Sequence, residues 1–522
     1  MKIVLTTDKI PFGKALSDTA DFPLVAGIVF EEKDLETRSV AAEPIKCEGC
    51  GAILTDLSEV REDPRLGTVF QCSFCNAIHK VPKNLPQEIL ANADFVLPLE
   101  AQPRESFADT LIACIDISGS MEGGALEAVK SSLVSTLRDL QHASPETRFG
   151  LVTFSDDVRL YVEPGAIART LGDEQVLLSV DKIKKDILSA RLTLHPLSRI
   201  GEGMRSFVSA LRTEGSTALG PAVVAASALL EKRPHGRIVL LTDGQANRGV
   251  GSLDHPTPVG KKLYEDLAGE FAKRGIICDI VAISGSGTVE VKALAVLPSS
   301  TGGDLFYVSV EELESTFQTL GTVDYYGRNA VLKVLTPSGI QVSDLSGVAS
   351  GVGPQARVAL GHLASGREVY YGFKSDKGIA AGQTVPVQFQ LEWTDTQGNS
   401  HVTVKTVNLT GTEKSEEILA AYNPLPWTIM EVQKAGEDAF QFDFDHSKDR
   451  LQRVKSLLQK LTRAPREKSE NCMQVLGEEL AQIDEIVQRR HSSSYYDDST
   501  YESYSMTRRR SSAPPPKRRK LV

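Results

Sequence analysis

One stretch constrains the fold of this chain more than any other: Leu111-Ile112-Ala113-Cys114-Ile115-Asp116-Ile117-Ser118-Gly119-Ser120-Met121. An apolar run bounded by polar sequence ends in a carboxylate and two hydroxyls at alternate positions. Such a run reads as a buried strand of a parallel sheet, because both of its faces must meet apolar neighbours. Gly123 and Gly124 then lead into Leu126, Val129, Leu133, Val134 and Leu137, the spacing of an amphipathic helix. Asp116, Ser118 and Ser120 therefore sit where a strand turns into a helix. In open α/β sheets that carboxyl edge is where ligands bind.

The residues Asp116-Ile-Ser-Gly-Ser120 resemble the opening motif of the von Willebrand factor type A (vWA) family, and two further pieces of that pattern follow in order. Thr217 lies in the loop Gly215-Ser216-Thr217-Ala218-Leu219-Gly220 before another helix, and Asp243 follows the buried strand Ile238-Val239-Leu240-Leu241. The resemblance implies a metal-ion-dependent adhesion site in which Ser118, Ser120 and Thr217 ligate Mg2+ while Asp116 and Asp243 hold its waters. Small hard cations favour oxygen ligands and Mg2+ keeps several waters, so the chemistry is consistent. DxSxS alone also reads as a helix start capped by Ser120. Three pieces at successive strand ends favour the metal.

At 522 residues the chain is too long for one core, and several domains are expected. Its net charge of −10 argues against a general polyanion-binding surface. The N-terminal stretch lacks the charged start and long apolar core of a signal peptide. No run approaches the ~20 apolar residues of a membrane helix. The expectation is a cytoplasmic protein whose scattered cysteines are reduced.

Four of the seven cysteines form two pairs, Cys47-Glu-Gly-Cys50 and Cys72-Ser-Phe-Cys75. Two CxxC pairs separated by about twenty residues read as one tetrahedral structural Zn2+ site of the ribbon kind. Neither pair opens a helix within a βαβ unit, which disfavours the redox reading. Four thiolates fill the shell, so no position stays open for catalysis, and His79 is expected on the surface. Nucleic-acid binding is not expected, because the ribbon lacks a dense basic-aromatic face.

Cys47-Glu-Gly-Cys50 followed by Gln71-Cys-Ser-Phe-Cys-Asn-Ala-Ile-His-Lys-Val-Pro82 resembles the zinc finger of the COPII inner-coat and cargo-adaptor subunits. In that family a vWA-type trunk follows the finger, then a β-sandwich completed by N-terminal strands, then helices. The finger and vWA part of the circularly permuted Ras proteins is similar too. No phosphate-cradling GxxxxGK[ST] sequence occurs here, so their GTPase part is not expected.

The same order can be followed along the chain as multidomain α/β architecture. Residues 1–44 carry strand-like pieces too few for a core of their own, expected to join the sandwich. Residues 45–84 are the four-cysteine zinc ribbon. Residues 105–322 alternate buried strands and amphipathic helices, a doubly wound (Rossmann-like) vWA domain. Its helices are expected over Leu126–Gln141, Val176–Ala190, Pro221–Glu231, Lys261–Arg274 and Glu311–Leu320. Gln245, Asn247 and Arg248 fall on a loop at the metal edge, as rim contacts or as solvated loop. Residues 324–412 change to period two, a β-sandwich in which Val385, Val387, Phe389, Leu391 and Trp393 alternate with polar residues as one half-buried strand should. Residues 414–490 are helical, with one stripe at Leu451, Val454, Leu458 and Leu461 and another at Met473, Leu476, Leu480, Ile483 and Val487. Residues 491–522 turn polar and then basic and are expected to be disordered. Lys517-Arg518-Arg519-Lys520 resembles a nuclear-import signal, the alternative being an electrostatic tether.

The functional expectation is a non-enzymatic, cytoplasmic protein-binding scaffold. A partner presenting an acidic residue would displace water at the open position of Mg2+. The alternative is a COPII-coat-like subunit with a coat or GTPase partner. It is weakened by the lack of a gelsolin-like module after the helices and by the intact metal pattern. Metal-assisted hydrolysis is the third reading; it lacks a base, since Asp116 and Asp243 would serve the metal and no histidine lies in the motifs.

Overall fold

Every residue of the strand Thr110–Asp116 is buried, as an apolar run without a polar face requires. It is the middle of an eight-stranded sheet in a computed structural model of the chain. The structure describes residues 1–31, 39–41, 43–55, 58–83, 94–97, 110–231, 236–254, 258–284, 289–322, 325–345, 355–375, 377–395, 398–461, 466–489, 495–508 and 510. Two units are distinguished: Met1–Arg104 with Tyr325–Gln488 and Glu502–Val522, and Glu105–Asp324 with Arg489–Tyr501.

In the second unit the spatial order of strands is Arg169–Leu171, Val158–Tyr161, Arg148–Phe154, Thr110–Asp116, Arg237–Thr242, Ile277–Ile283 and Leu305–Val308. The last five run parallel. The first two are antiparallel additions, so the sheet is mixed at that edge rather than parallel throughout. Arg148–Phe154 and Arg237–Thr242 flank the central strand on opposite sides, which places the switch of winding direction at the carboxyl end of Asp116. The helix after it is Ala125–Ala143, burying Leu126, Val129, Leu133 and Leu137.

Two helical expectations are corrected. The single helix expected over Val176–Ala190 is two, Glu174–Leu177 and Val180–Ser189, because two caps compete within one apolar stripe. The Asp173 carboxylate accepts from Val176 N at 3.1 Å and the Ser179 hydroxyl from Lys182 N at 3.4 Å. Helix Leu197–Ser209 was not expected: Gly201 stands within its buried stripe of Leu197, Ile200, Met204 and Val208, and Gly203 follows on the exposed side. Both glycines permit close packing: a Cβ on Gly201 would stand 2.7 Å from Gln141 Oε1, and one on Gly203 2.7 Å from Pro164 Cγ.

The first unit holds two further sheets. One has the order Lys2–Leu5, Leu24–Phe30, Arg367–Lys374, Gln341–Leu345. The other runs Gln355–Ala364, Tyr325–Leu335, Thr384–Asp395, Ser400–Thr412, Asp94–Leu97, Ser39–Val40, with Lys9–Pro11 pairing Ser400–Thr412. Ile28, Phe30 and Tyr371 of the first sheet share one apolar cluster with Leu332, Phe389 and Leu391 of the second. Where Asp94–Leu97 pairs with Ser400–Thr412, His401 Nδ1 lies 2.7 Å from Asp94 Oδ2 and Nε2 3.1 Å from Asp395 Oδ2. The imidazole stacks on Trp393 at 4.2 Å.

The half-buried reading of Thr384–Asp395 is overturned. Gln388 and Gln390 on its polar side are buried too, because the cysteine-bearing segment covers that face. Helices Leu425–Phe440, Phe444–Lys460 and Arg466–Gln488 follow. Leu451, Val454, Leu458 and Leu461 are buried, as is Cys472, whereas Met473 and Val487 are half-buried at the rim of their stripe.

Disorder after residue 491 is also corrected in part: Tyr495–Thr507 form a helix. Aliphatic content misleads here, because the buried residues include Asp497, Ser499, Thr500, Ser503, Tyr504 and Met506. Two of the hydroxyls are satisfied within the helix, Thr500 Oγ1 donating to Tyr496 O at 2.6 Å and Ser499 Oγ at 3.1 Å. Within the second unit, Asp497 accepts from Val289 N at 2.6 Å and Val291 N at 2.9 Å. Within the first, Met506 packs where a Cβ on Gly436 would be, 2.8 Å away. Lys517 to Lys520 lie outside the described residues. Among the described residues no helix is long and apolar enough to cross a membrane.

Candidate functional site

Two groups of side chains have the chemistry of metal ligands. The first is built from two turns of the same design. Cys47 N donates to Ala52 O at 2.7 Å and Gly51 N to Cys47 O at 2.8 Å; Cys72 N donates to Ala77 O at 2.8 Å and Asn76 N to Cys72 O at 2.8 Å. Each turn reverses at a left-handed residue, Gly51 with φ 75° and Asn76 with φ 62°, residue types that tolerate that conformation. The second turn connects Gly67–Gln71 to Ile78–Lys80 of a small antiparallel sheet completed by Glu59–Asp63. The four sulfurs of Cys47, Cys50, Cys72 and Cys75 lie within 4.8 Å of one another. Cys47 and Cys75 sulfurs are 3.4 Å apart, and those of Cys50 and Cys72 3.6 Å. Tetrahedral zinc with Zn–S of about 2.3 Å needs sulfurs about 3.8 Å apart, so the cluster fits this ion.

Burial pushes the Cys47 thiol up, but the N–H groups of Cys50 and Gly49 and the neighbouring thiols outweigh it, bringing it down to about 6. Burial pushes Cys50 and Cys72 up. His79 is not a surface bystander. Its Nε2 is 3.1 Å from Cys47 Sγ and its ring stacks on Phe70 at 5.0 Å.

The ribbon is fastened to the sheet by amides. Gln388 Oε1 accepts from Ile53 N and Gln388 Nε2 donates to Ile53 O, both at 2.8 Å, so one side chain pairs with a backbone as a strand would. Gln390 Nε2 donates to Gly51 O at 3.0 Å and Gln355 Nε2 to Cys50 O at 3.1 Å. None of these glutamines was singled out by periodicity, which counts them as the solvent side.

The second group lies at the carboxyl edge of the parallel sheet. Asp116, Ser118, Thr217 and Asp243 are buried and Ser120 is exposed. Ser118 N donates to Asp116 Oδ1 at 2.9 Å, the Ser118 and Ser120 hydroxyls are 3.0 Å apart, and Ser120 Oγ donates to Asp243 Oδ1 at 2.6 Å. A Cβ on Gly244 would stand 3.2 Å from Ser120 Oγ and 3.6 Å from Thr217 Oγ1, which places both hydroxyls beside this glycine. Gly119 N donates to Gly215 O at 3.0 Å and ties the first loop to the second. All five oxygen-bearing residues thus come to one sheet edge, an all-oxygen donor set with two carboxylates that suits a hard divalent cation.

Burial pushes Asp116 up to about 7, with the Asp243 charge acting in the same direction and hydrogen bonds from Ser118 and Thr242 opposing. Burial raises Asp243 as well, against the hydrogen bond from Ser120. Thr242 had not been marked from the sequence. Its hydroxyl donates to Asp116 Oδ2 at 2.5 Å and accepts from Gly244 N at 3.3 Å. Of the loop residues, Gln245 points inward, Nε2 donating to Leu253 O at 2.7 Å. Asn247 Oδ1 accepts from Thr217 N at 2.9 Å, and Arg248 lies 4.0 Å from Asp156.

A sheet wound in both directions from a central strand, with Asp, Ser and Thr oxygens at its carboxyl edge, is the arrangement that the resemblance to the vWA family implied. Residues 111–318 match the Sec23/Sec24 trunk domain family. The chain is 24% identical over 330 residues to circularly permutated Ras protein 1 of Dictyostelium discoideum, covering 55% of this chain and 38% of that one. It is 25% identical over 350 residues to protein transport protein SEC23 D of Arabidopsis thaliana, covering 56% and 45%. The crystal structure of human COPII-coat protein Sec24c superposes with a TM-score of 0.71 at 19% identity, covering 97% of this chain and 74% of that one. The resemblance to COPII inner-coat proteins and to circularly permuted Ras proteins therefore holds, and the chain spans less than half the length of these two curated relatives.

Proposed function

We propose that the chain is a non-catalytic scaffold of the COPII inner-coat kind, acting in vesicle transport through protein contacts on the cytosolic side of membranes. The observation that carries this reading is the trunk match together with a coat-protein fold that extends over nearly the whole chain. The arrangement of the trunk edge agrees with a binding role, since both carboxylates accept hydrogen bonds from neighbouring hydroxyls and neither stands free as a general base. A zinc ion at Cys47, Cys50, Cys72 and Cys75 serves as scaffold. The test is recruitment of the purified chain to liposomes by a coat GTPase. Sedimentation with the GTP-analogue form and not the GDP form is expected, and equal sedimentation with both removes the coat reading.

The convergence of Asp116, Ser118, Ser120, Thr217 and Asp243 favours a second, compatible reading. The trunk edge holds Mg2+, and a partner's acidic side chain completes its coordination. Partner capture by the wild-type chain should then be lost on adding EDTA and restored by excess Mg2+. Capture indifferent to EDTA rules this reading out.

A further inference from the structure

We infer that Asn247 is the positioning residue of the trunk-edge site: it holds the Thr217 loop against the Asp243 loop, so that the Thr217 hydroxyl is presented to a divalent cation. The inference rests on the cation reading proposed above. Thr217 belongs to no strand or helix; the helix after it, Leu219–Leu229, begins at Ala218 without a side-chain cap. Its backbone groups therefore need partners from elsewhere. The Thr217 carbonyl accepts from two backbone groups, Asn247 N at 3.1 Å and Arg248 N at 3.3 Å, while its N–H donates to the Asn247 side chain, Oδ1 at 2.9 Å, the one contact that a substitution of Asn247 removes.

The loop that makes this grip is itself braced. Gln245 Nε2 donates to Leu253 O at 2.7 Å, Leu253 N donates to Ala246 O at 2.6 Å, and Ala246 is fully buried. The same loop starts at Asp243, so one rigid segment carries a carboxylate of the site and grips the hydroxyl-bearing residue opposite. On the far side of Thr217, Asp156 Oδ1 accepts from Ser216 N at 3.1 Å. Asn247 is exposed, so packing does not account for its orientation and replacing it removes no core volume.

The test titrates Mg2+ alone into the full-length wild type, Asn247→Ala and Asn247→Asp by calorimetry, with melting curves in EDTA alongside. Loss of an outer partner of a metal ligand costs roughly 10–100-fold in affinity, and that loss is expected for Asn247→Ala with the EDTA melting point unchanged. Asn247→Asp keeps an oxygen to accept from Thr217 N and should recover binding to within a few-fold of wild type. Hydrogen exchange of the Thr217 amide in EDTA should be faster in Asn247→Ala and near wild type in Asn247→Asp. If Asn247→Ala binds Mg2+ as wild type does, the positioning inference is overturned and the cation reading stands. If the melting point in EDTA falls with affinity and Asn247→Asp recovers neither, the role is structural and the inference is also overturned. If wild type shows no Mg2+ response, both readings fall together.

Discussion

The ribbon and the trunk edge surround a candidate ion in opposite ways. In the ribbon, Cys47 and Cys72 are themselves members of the small apolar cluster, beside Ala52, Leu54, Phe70, Val81 and Leu335. The ligands are the core, and so few apolar groups cannot offset the entropy of ordering the segment. At the trunk edge the candidate ligands sit at a strand end and on the loops beyond it, on a sheet whose apolar cluster extends through Val129, Leu151, Leu241 and Val281. An ion would complete the first structure and only decorate the second. The difference teaches that two candidate metal sites in one chain can be linked to stability in unlike ways.

The largest expected effect would break the comparison if it failed. Cys47→Ser should release zinc and abolish hydrogen-exchange protection across residues 45–82; structural zinc contributes on the order of 10–16 kcal/mol in small fingers. Stoichiometric zinc and intact protection in the variant would mean that the ribbon stands without its ion. A smaller effect sharpens the picture of how the ribbon docks. Gln388→Ala strands the N–H and C=O of Ile53, and an unmade buried hydrogen bond costs about 1–3 kcal/mol. Its denaturation midpoint should drop accordingly while zinc content stays whole. A change no larger than that of a surface substitution, about 0.5 kcal/mol, would show that the amide pairing is incidental.

His401 is a third arrangement, a buried imidazole set between the carboxylates of Asp94 and Asp395 rather than beside a metal. Burial pulls its pKa down, but Asp94 and Asp395 outweigh burial, so the folded value lies above the ordinary ~6.5. The stability it contributes is complete below that ordinary value and is lost as pH rises through the folded one. The stability difference between wild type and His401→Gln should therefore shrink from mildly acidic to alkaline pH; a constant difference would reject a charged imidazole. Smallest of all in stability is Asp116→Ala. Without metal its melting point should equal or exceed that of wild type, since a buried carboxylate facing Asp243 is removed. Only wild type should gain from Mg2+. Equal gains in the two proteins would end the oxygen-site reading.

What could be read beforehand divides along the same line. The run ending at Asp116 and the paired CxxC motifs carry their own geometry, a period or a spacing set by local backbone, so their places were legible. Gln388 and Gln390 were not, because what buries them lies hundreds of residues away and alternation cannot register a covering layer. Thr242 and Asn247 went unmarked as supports for a related reason. They act on Asp116 and Thr217 through hydrogen bonds between separate loops, and a hydroxyl or amide beside a strand end has the same spelling whether it braces a ligand or meets water. The helix Tyr495–Thr507 escaped because its buried face is hydroxyl-rich rather than aliphatic.

The pairing of Gln388 with Ile53 also has a consequence in time. The two residues are 335 positions apart, and Leu24–Phe30 likewise awaits its neighbour Arg367–Lys374. At roughly 5–20 residues per second a ribosome takes on the order of tens of seconds to supply those partners. During that interval an apolar strand, Leu24-Val-Ala-Gly-Ile-Val-Phe30, has its earlier neighbour Lys2–Leu5 on one side and its other hydrogen-bonding edge open, the condition in which nascent chains associate wrongly. The ribbon does not share that hazard if zinc is at hand, because its ligands are all made within 29 residues of one another, Cys47 to Cys75. Early metal loading would give the nascent chain one folded landmark long before its sheets can close, whereas one edge of Leu24–Phe30 stays unpaired until Arg367–Lys374 has been made.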